Sequence, residues 1–141
     1  MKFIFSLPLM LLPLIVYNVI VFGGTDAVVG DPWSAPLFGI DMTSGARFTM
    51  LMGDAMITAA LVLLFVEMLK ATRTGVVALT DHILSMLVFV AYLVEFLIVG
   101  AAATSVFFIL MSIALIDVIA GFSITIAGAR RDVSFGHHEG H

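Results

Sequence analysis

The sequence predicts an all-α membrane protein, a bundle of four transmembrane helices with both chain ends on one side. Of its 141 residues, 62% are hydrophobic and 11% are charged, whereas soluble domains have about half and about a quarter. A small soluble domain could not cover so much apolar surface with so few charges. Four apolar stretches also match the ~20 residues that a helix needs to cross a bilayer core.

The four predicted spans are residues 3–22, 48–69, 83–103 and 106–127. We predict helices because open strands would leave backbone groups unpaired in hydrocarbon. The first span follows Lys2 and is longer than the ~7–15-residue core of a signal peptide, which indicates a retained anchor. In this span, Pro8 and Pro13 predict a kink, and Asn18 predicts an amide contact with a neighbouring helix.

Positive charges predict the orientation of the four spans. Both chain ends and the connection between the second and third spans share one side, which holds Lys2, Lys70, Arg73, Arg130 and Arg131. The opposite side holds only Arg47. We therefore expect an N-in/C-in protein, with a membrane domain over residues 1–130 and a cytoplasmic tail over residues 131–141.

The longest connection, residues 23–47, lies on the predicted outer side. A loop of this length without structure of its own is uncommon in a compact domain. Trp33 and Phe38 are residues expected at headgroup depth, so we predict a loop on the membrane surface with Trp33 as an anchor. The alternatives are a cap over an outward-facing cavity and a docking surface for a partner protein.

Three carboxyl groups, those of Asp54, Glu95 and Asp117, are expected deep within the spans. A helical rise of about 1.5 Å per residue puts them close to one level in the outer half of the membrane. Glu95 continues a stripe with spacings of three and four that contains Ser85 and Tyr92, and Asp54 lies one turn from Thr58. Each carboxyl is therefore expected to face the bundle interior.

Like charges this close in a low dielectric do not all ionise, so we expect at least one of these groups to be protonated at neutral pH. Two interpretations stay open. Neutral carboxyls could hydrogen-bond between helices, with Tyr92 or Thr58 as partners. Alternatively, Asp54, Glu95 and Asp117 could form a proton or cation site open to the outer side.

A second charged set is expected at the inner face: Glu67, Lys70, Arg73, Asp81 and His82. Glu67 and Lys70 are three residues apart, a spacing that favours an ion pair on a helix. We interpret the set as a snorkelling salt-bridge cluster at the interface, with a docking site for a cytoplasmic partner as the alternative.

Small residues on the fourth span predict a close helix contact. Gly121 and Thr125 are four residues apart and share a face with Asp117. Residues of this size at this spacing allow two membrane helices to approach closely.

Histidine and cysteine usage restricts the possible cofactors, and the sequence assigns none. Cysteine is absent, which excludes disulfides, iron–sulfur clusters and thiol catalysis. Among the histidines, His82 alone lies near a span, so a bis-histidine haem site would need two copies of the chain. In the tail, His137, His138 and His141 are weak candidates for metal ligands, against a disordered tail as the simpler reading.

Three segments, residues 66–75, 81–89 and 114–126, resemble those of small uncharacterised bacterial inner-membrane proteins with four spans. The resemblance covers most of the chain and implies a bacterial inner (plasma) membrane location. It implies no activity, ligand or catalytic residue, because no activity is established for such proteins.

Together, these patterns predict a non-enzymatic structural or accessory subunit of a membrane assembly. No catalytic motif is present, and no basic stripe indicates nucleic-acid binding. The expected partners are the lipid bilayer and either a second copy of the chain or another membrane protein. The alternative is a small proton- or cation-translocating module, and a haem-binding redox protein is a more remote one.

Overall fold

The structure, a computed structural model, describes residues 6–24, 30–73 and 75–136, with side chains up to residue 131. Its elements in chain order are α1 (Leu11–Gly23), β1 (Pro36–Asp41), β2 (Arg47–Leu51), α2 (Met52–Lys70), α3 (Val76–Ile98) and α4 (Ser105–Gly136). Helices α2, α3 and α4 are each long and apolar enough to cross a membrane, which is consistent with a membrane protein. Helix α1, with 13 residues, is a shorter apolar helix.

The bundle has two distinct ends. We call the end with the β1–β2 hairpin and residues 99–104 the hairpin end, and the end with residues 71–75 the link end. The Ser6 hydroxyl donates to Asp81 near the start of α3, over 3.2 Å. The described chain therefore starts at the link end, and residues 6–10 and then α1 lead towards the hairpin end.

Helix α1 begins at Leu11, eight residues later than the predicted span; residues 1–5 are outside the described part of the chain. The predicted kink is wrong, because Pro8 precedes the helix and Pro13 lies in its first turn, where no intrahelical partner is needed. The predicted interhelical contact of Asn18 is also wrong. Its amide donates to the Leu14 carbonyl oxygen of its own helix, over 3.0 Å.

The connection predicted as a surface loop contains an antiparallel hairpin, in which Asp41 pairs with Arg47 and Ile40 with Phe48. Gly45, with φ +81°, allows the turn. Strand β2 takes the first residues of the predicted second span, so α2 begins at Met52 rather than at residue 48. An apolar run of a few residues fits a strand as well as a helix, and strand pairing decides between them here.

Trp33 is buried rather than anchored among headgroups, so its predicted role is wrong. It lies in a 3-10 turn, Pro32–Ser34, and is 4% exposed. Its ring stacks on Tyr17 at 4.5 Å. Gly53 lets the Trp33 residue and Val106 approach α2, since a Cβ there would lie 3.2 Å from the Trp33 carbonyl oxygen and 2.8 Å from Val106. The chain thus crosses over the hairpin end of the bundle and packs into it.

The other two long helices also differ from their predicted bounds. Helix α3 begins at Val76 instead of residue 83 and ends at Ile98, before a 3-10 turn at Gly100–Ala102. Helix α4 continues to Gly136 instead of residue 127. At 1.5 Å per residue, α4 is about 48 Å long, more than a bilayer core of about 30 Å.

Helix α4 packs closely on α3 at Gly121. A Cβ added at Gly121 would lie 2.6 Å from Cε1 of His82. The Nε2 atom of the same ring is hydrogen-bonded with the Thr125 hydroxyl one turn further along α4. The face formed by Gly121 and Thr125 is therefore in contact with α3, and the contact is made to a histidine.

Replacing Gly121 by Ala should reduce the free energy of unfolding by about 1–3 kcal/mol, because the His82 ring would have to move and release Thr125. The matched control is Gly128→Ala on the same helix, where an added Cβ meets nothing within 4 Å. The control should leave stability unchanged or raise it by up to about 1 kcal/mol, because alanine favours helix. Unfolding in mixed detergent micelles, followed by circular dichroism, measures both variants; equal effects would contradict the packing described.

Candidate functional site

A buried ion pair lies on α2 near the link end. Nζ of Lys70 lies 3.3 Å from Oε1 of Glu67, and the two side chains are 9% and 5% exposed. The inner-face cluster was expected to snorkel to the interface, and for these two residues that expectation is wrong. They are buried because they continue the stripe of Met56, Ala60 and Leu64, which faces the bundle interior.

The pair holds the chain segment that precedes α1. The Leu9 backbone N–H donates to Oε2 of Glu67, and Nζ of Lys70 donates to the Leu7 carbonyl oxygen, each over 3.0 Å. The segment is not helical here, so its buried backbone groups need partners from elsewhere in the chain. One acid and one base supply an acceptor and a donor side by side.

Asp117 faces the same region from α4. Its carboxyl is buried, hydrogen-bonds the Ser85 side chain of α3, and lies near the charged groups of Glu67 and Lys70. A cavity of about 10 Å³ lies among these groups, which is room for about one water molecule. We call this set the link-end cluster: Glu67, Lys70, Asp81, His82, Ser85 and Asp117.

Glu95 belongs to a different environment, near the hairpin end of α3. Its carboxyl lies near the hydroxyls of Tyr17 and Tyr92. Its Oε1 atom is buried without a hydrogen-bond partner. The Tyr92 hydroxyl donates to the Met10 carbonyl oxygen over 2.9 Å, so it is already engaged in holding the N-terminal segment.

Asp54 and Thr58 do not face the interior, contrary to expectation. Asp54 lies in the first turn of α2, where its Oδ2 accepts the backbone N–H of Leu51 over 3.4 Å. The Thr58 hydroxyl donates to the Asp54 carbonyl oxygen over 2.7 Å. Both side chains are exposed, and a carboxylate at this position serves the positive end of the helix.

The expected common level of the three carboxyl groups is wrong. Asp117 is level with Ser85, which is ten residues and therefore about 15 Å along α3 from Glu95. The difference arises on α3, which begins at Val76 instead of residue 83, so Glu95 lies 19 residues, or about 29 Å, from the start of its helix. The two carboxyls therefore lie at different levels of the bundle.

The remaining candidate residues are placed as follows. Arg73 is exposed at the link end, beside a cleft of about 140 Å³ between residues 71–75 and α4. The His82 ring packs against Gly121, and its Nε2 atom is hydrogen-bonded with the Thr125 hydroxyl, which does not suit an axial haem ligand. Among the described residues, no group of three His, Asp or Glu is arranged to hold a metal ion. The tail histidines, His137, His138 and His141, lie outside the described residues.

No protein-family model, curated protein or solved structure matches the chain. The resemblance to small four-span bacterial inner-membrane proteins therefore stays a prediction. The geometry of the described residues is what supports a function.

Sequence reasoning missed two features of the link-end cluster. It assigned His82 to the interface and left it out of an interior site, although His82 lies on the buried stripe of α3 with Ser85, Val88 and Tyr92. It also missed the role of the N-terminal backbone. One sequence signal indicated the buried pair: Glu67 and Lys70 continue, at spacings of three, the apolar stripe on α2 that contains Ala60 and Leu64.

Replacing Lys70 by Met should cost about 3–5 kcal/mol of unfolding free energy, because it leaves Glu67 buried without its countercharge. The control is Arg47→Met in the hairpin. Arg47 forms a 3.0 Å ion pair with Asp41, but both side chains are largely exposed, so its loss should cost no more than about 1 kcal/mol. Detergent unfolding compares the two; similar losses would show that the Glu67–Lys70 pair is not structural.

Replacing Glu95 by Gln should leave the unfolding free energy unchanged or raise it by about 1 kcal/mol, because the buried Oε1 atom has no hydrogen bond to lose. In contrast, Glu67→Gln should lower it, because Lys70 then keeps a buried charge without a countercharge. The same unfolding assay checks both. A large loss from Glu95→Gln would reveal a contact of this carboxyl that the described arrangement lacks.

Proposed function

We propose that this chain is an integral membrane protein with a non-enzymatic, structural or accessory role in a membrane assembly. The observation that carries the proposal is that charged groups at depth hold parts of the chain together. Glu67 and Lys70 bind the backbone of residues 7 and 9, and Asp81 binds Ser6. Groups committed to such contacts are not free to bind and release an ion.

The buried polar groups form two sets that are separated along the bundle, and this separation supports the same role. Between the link-end cluster and the Tyr17–Tyr92–Glu95 set, the helices present buried apolar residues to one another: Ala60, Leu64, Val88, Leu110, Ile113 and Ala114. A conducting path needs polar groups or water from one side of the membrane to the other. An apolar layer across the interior favours a closed, packed bundle.

We further propose four crossings, with both chain ends cytoplasmic and the hairpin outside, in a bacterial inner membrane. Residues 6–10 span at most about 17 Å, and the 13 residues of α1 span about 20 Å. Together they can cross a core of about 30 Å although α1 alone cannot. The cations Arg73, Arg130 and Arg131 near the link end support the cytoplasmic assignment.

A proton- or cation-translocating module is the second candidate, and one observation favours it. The buried Asp117 carboxyl borders a water-sized cavity together with Lys70, His82 and Ser85. This candidate site differs from the predicted site of Asp54, Glu95 and Asp117, because of those three residues only Asp117 borders the cavity. Access from the link end would let this carboxyl exchange protons.

Flux in proteoliposomes discriminates between the two candidates. The purified chain is reconstituted with a pH-sensitive dye inside, and proton and potassium fluxes are recorded against empty vesicles. A structural protein should give the background rate, with Asp117→Asn identical to wild type. A wild-type flux that Asp117→Asn abolishes while Glu95→Gln retains it would overturn the structural role.

The accessory role itself requires a protein neighbour in the membrane. A photo-crosslinking amino acid at Phe65, which is exposed on α2, should give a discrete protein adduct in native membranes if that face is an interface. Ala60, buried on the same helix, is the matched negative position. If Phe65 and comparable exposed positions Leu97 on α3 and Ile119 on α4 give lipid adducts alone, the chain works without a partner.

A further inference from the structure

The β1–β2 hairpin has one apolar face and one polar face. Residues paired across an antiparallel ladder share a face, and faces alternate along each strand. The pairs Phe38–Met50 and Ile40–Phe48 therefore form one face, and Gly39–Thr49 and Asp41–Arg47 form the other. The second face carries the Asp41–Arg47 ion pair.

The described part of the chain does not cover the apolar face. Phe38, Ile40 and Phe48 are 50%, 53% and 43% exposed. All six residues of β1 are exposed, so the rest of the bundle does not pack on the strand. A two-stranded sheet is marginally stable in water by itself, so an uncovered apolar face of this kind needs a cover.

The hairpin is fixed at the boundary of the predicted hydrocarbon region. Strand β2 ends at Leu51 and the apolar helix α2 begins at the next residue, Met52. The Met52 backbone N–H donates to the Ala35 carbonyl oxygen over 2.8 Å, which ties the start of β1 to the same point. Both strands therefore leave from the first turn of a membrane-spanning helix, without a linker.

The size of the apolar face argues against a protein as its cover. Two paired strands of five residues measure about 17 Å by 10 Å, or about 170 Å². A stable protein interface buries about 800 Å² per partner. A second copy or another protein bound only to this face would therefore be held too weakly, whereas lipid needs no minimum area of contact.

We propose that the hairpin lies in the interfacial region of the bilayer, with Phe38, Ile40 and Phe48 towards the acyl chains and the Asp41–Arg47 pair towards water. The pair is neutral as a whole, so the hairpin suits a zwitterionic lipid surface and needs no anionic lipid. An amphipathic element of this kind inserts its apolar face about 5–10 Å into the boundary. The inference rests on the proposed membrane insertion of α2.

Single cysteines test the proposal directly, because the chain has none of its own. The full chain is placed in phosphatidylcholine nanodiscs with a nitroxide label at Ile40→Cys or at Thr49→Cys, on opposite faces. Paramagnetic resonance then compares collisions with oxygen, which partitions into lipid, and with a polar nickel chelate. Phe38→Cys repeats the apolar-face measurement, and Phe65→Cys, on the exposed side of α2, reports insertion of the helix itself.

Labels at Ile40 and Phe38 should collide several-fold more with oxygen than with nickel, as the label at Phe65 does, while Thr49 should show the reverse. Equal nickel access at Ile40 and Thr49 would overturn the proposal by placing the hairpin in water. Protection of Ile40 from both reagents would overturn it in favour of a protein cover, and spin–spin broadening would identify a second copy. Nickel access at Phe65 would instead show that membrane insertion had failed.

Discussion

The structure depends on hydrogen bonds to a short stretch of backbone that is not helical. Between Ser6 and Met10 the chain packs against the bundle, with Pro8 and Met10 buried, and its N–H and C=O groups have no water to bind at the depth of the hydrocarbon if the helices span a membrane. Glu67 accepts a hydrogen bond from the Leu9 backbone N–H, and Lys70 donates one to the Leu7 carbonyl oxygen. The Tyr92 hydroxyl donates one to the Met10 carbonyl oxygen. Because α1 starts late, the backbone before it needs hydrogen-bond partners, and the buried ion pair supplies two of them.

This requirement gives the buried charges of Glu67 and Lys70 a role in holding the chain together. A buried ion pair is costly unless its atoms gain further hydrogen bonds, and here the backbone provides them. Asp117 hydrogen-bonds Ser85 and lies near the same ion pair, so the link-end cluster is one polar region of the interior. Glu95 lies apart from it, beyond a layer of buried apolar side chains.

Aromatic packing holds the opposite end. Tyr17 stacks on Trp33 and meets Phe107 edge-on at 4.8 Å. Its hydroxyl bonds to Ala101 and Thr104 in the connection between α3 and α4. One tyrosine thus joins α1, the segment before the hairpin and the start of α4, which keeps the base of the hairpin in a fixed position at the end of the bundle.

The amino-acid sequence alone determined the class of the protein, because composition and apolar run length respond to the solvent around the chain rather than to tertiary detail. It also predicted the 3–4 spacing that buries Ser85 and Tyr92 on α3. Only the tertiary structure decided the depth of Asp117, the burial of Glu67 and Lys70, and the strand at residues 47–51. Depth depends on where neighbouring helices end, and short apolar segments become strand or helix according to what they pair with.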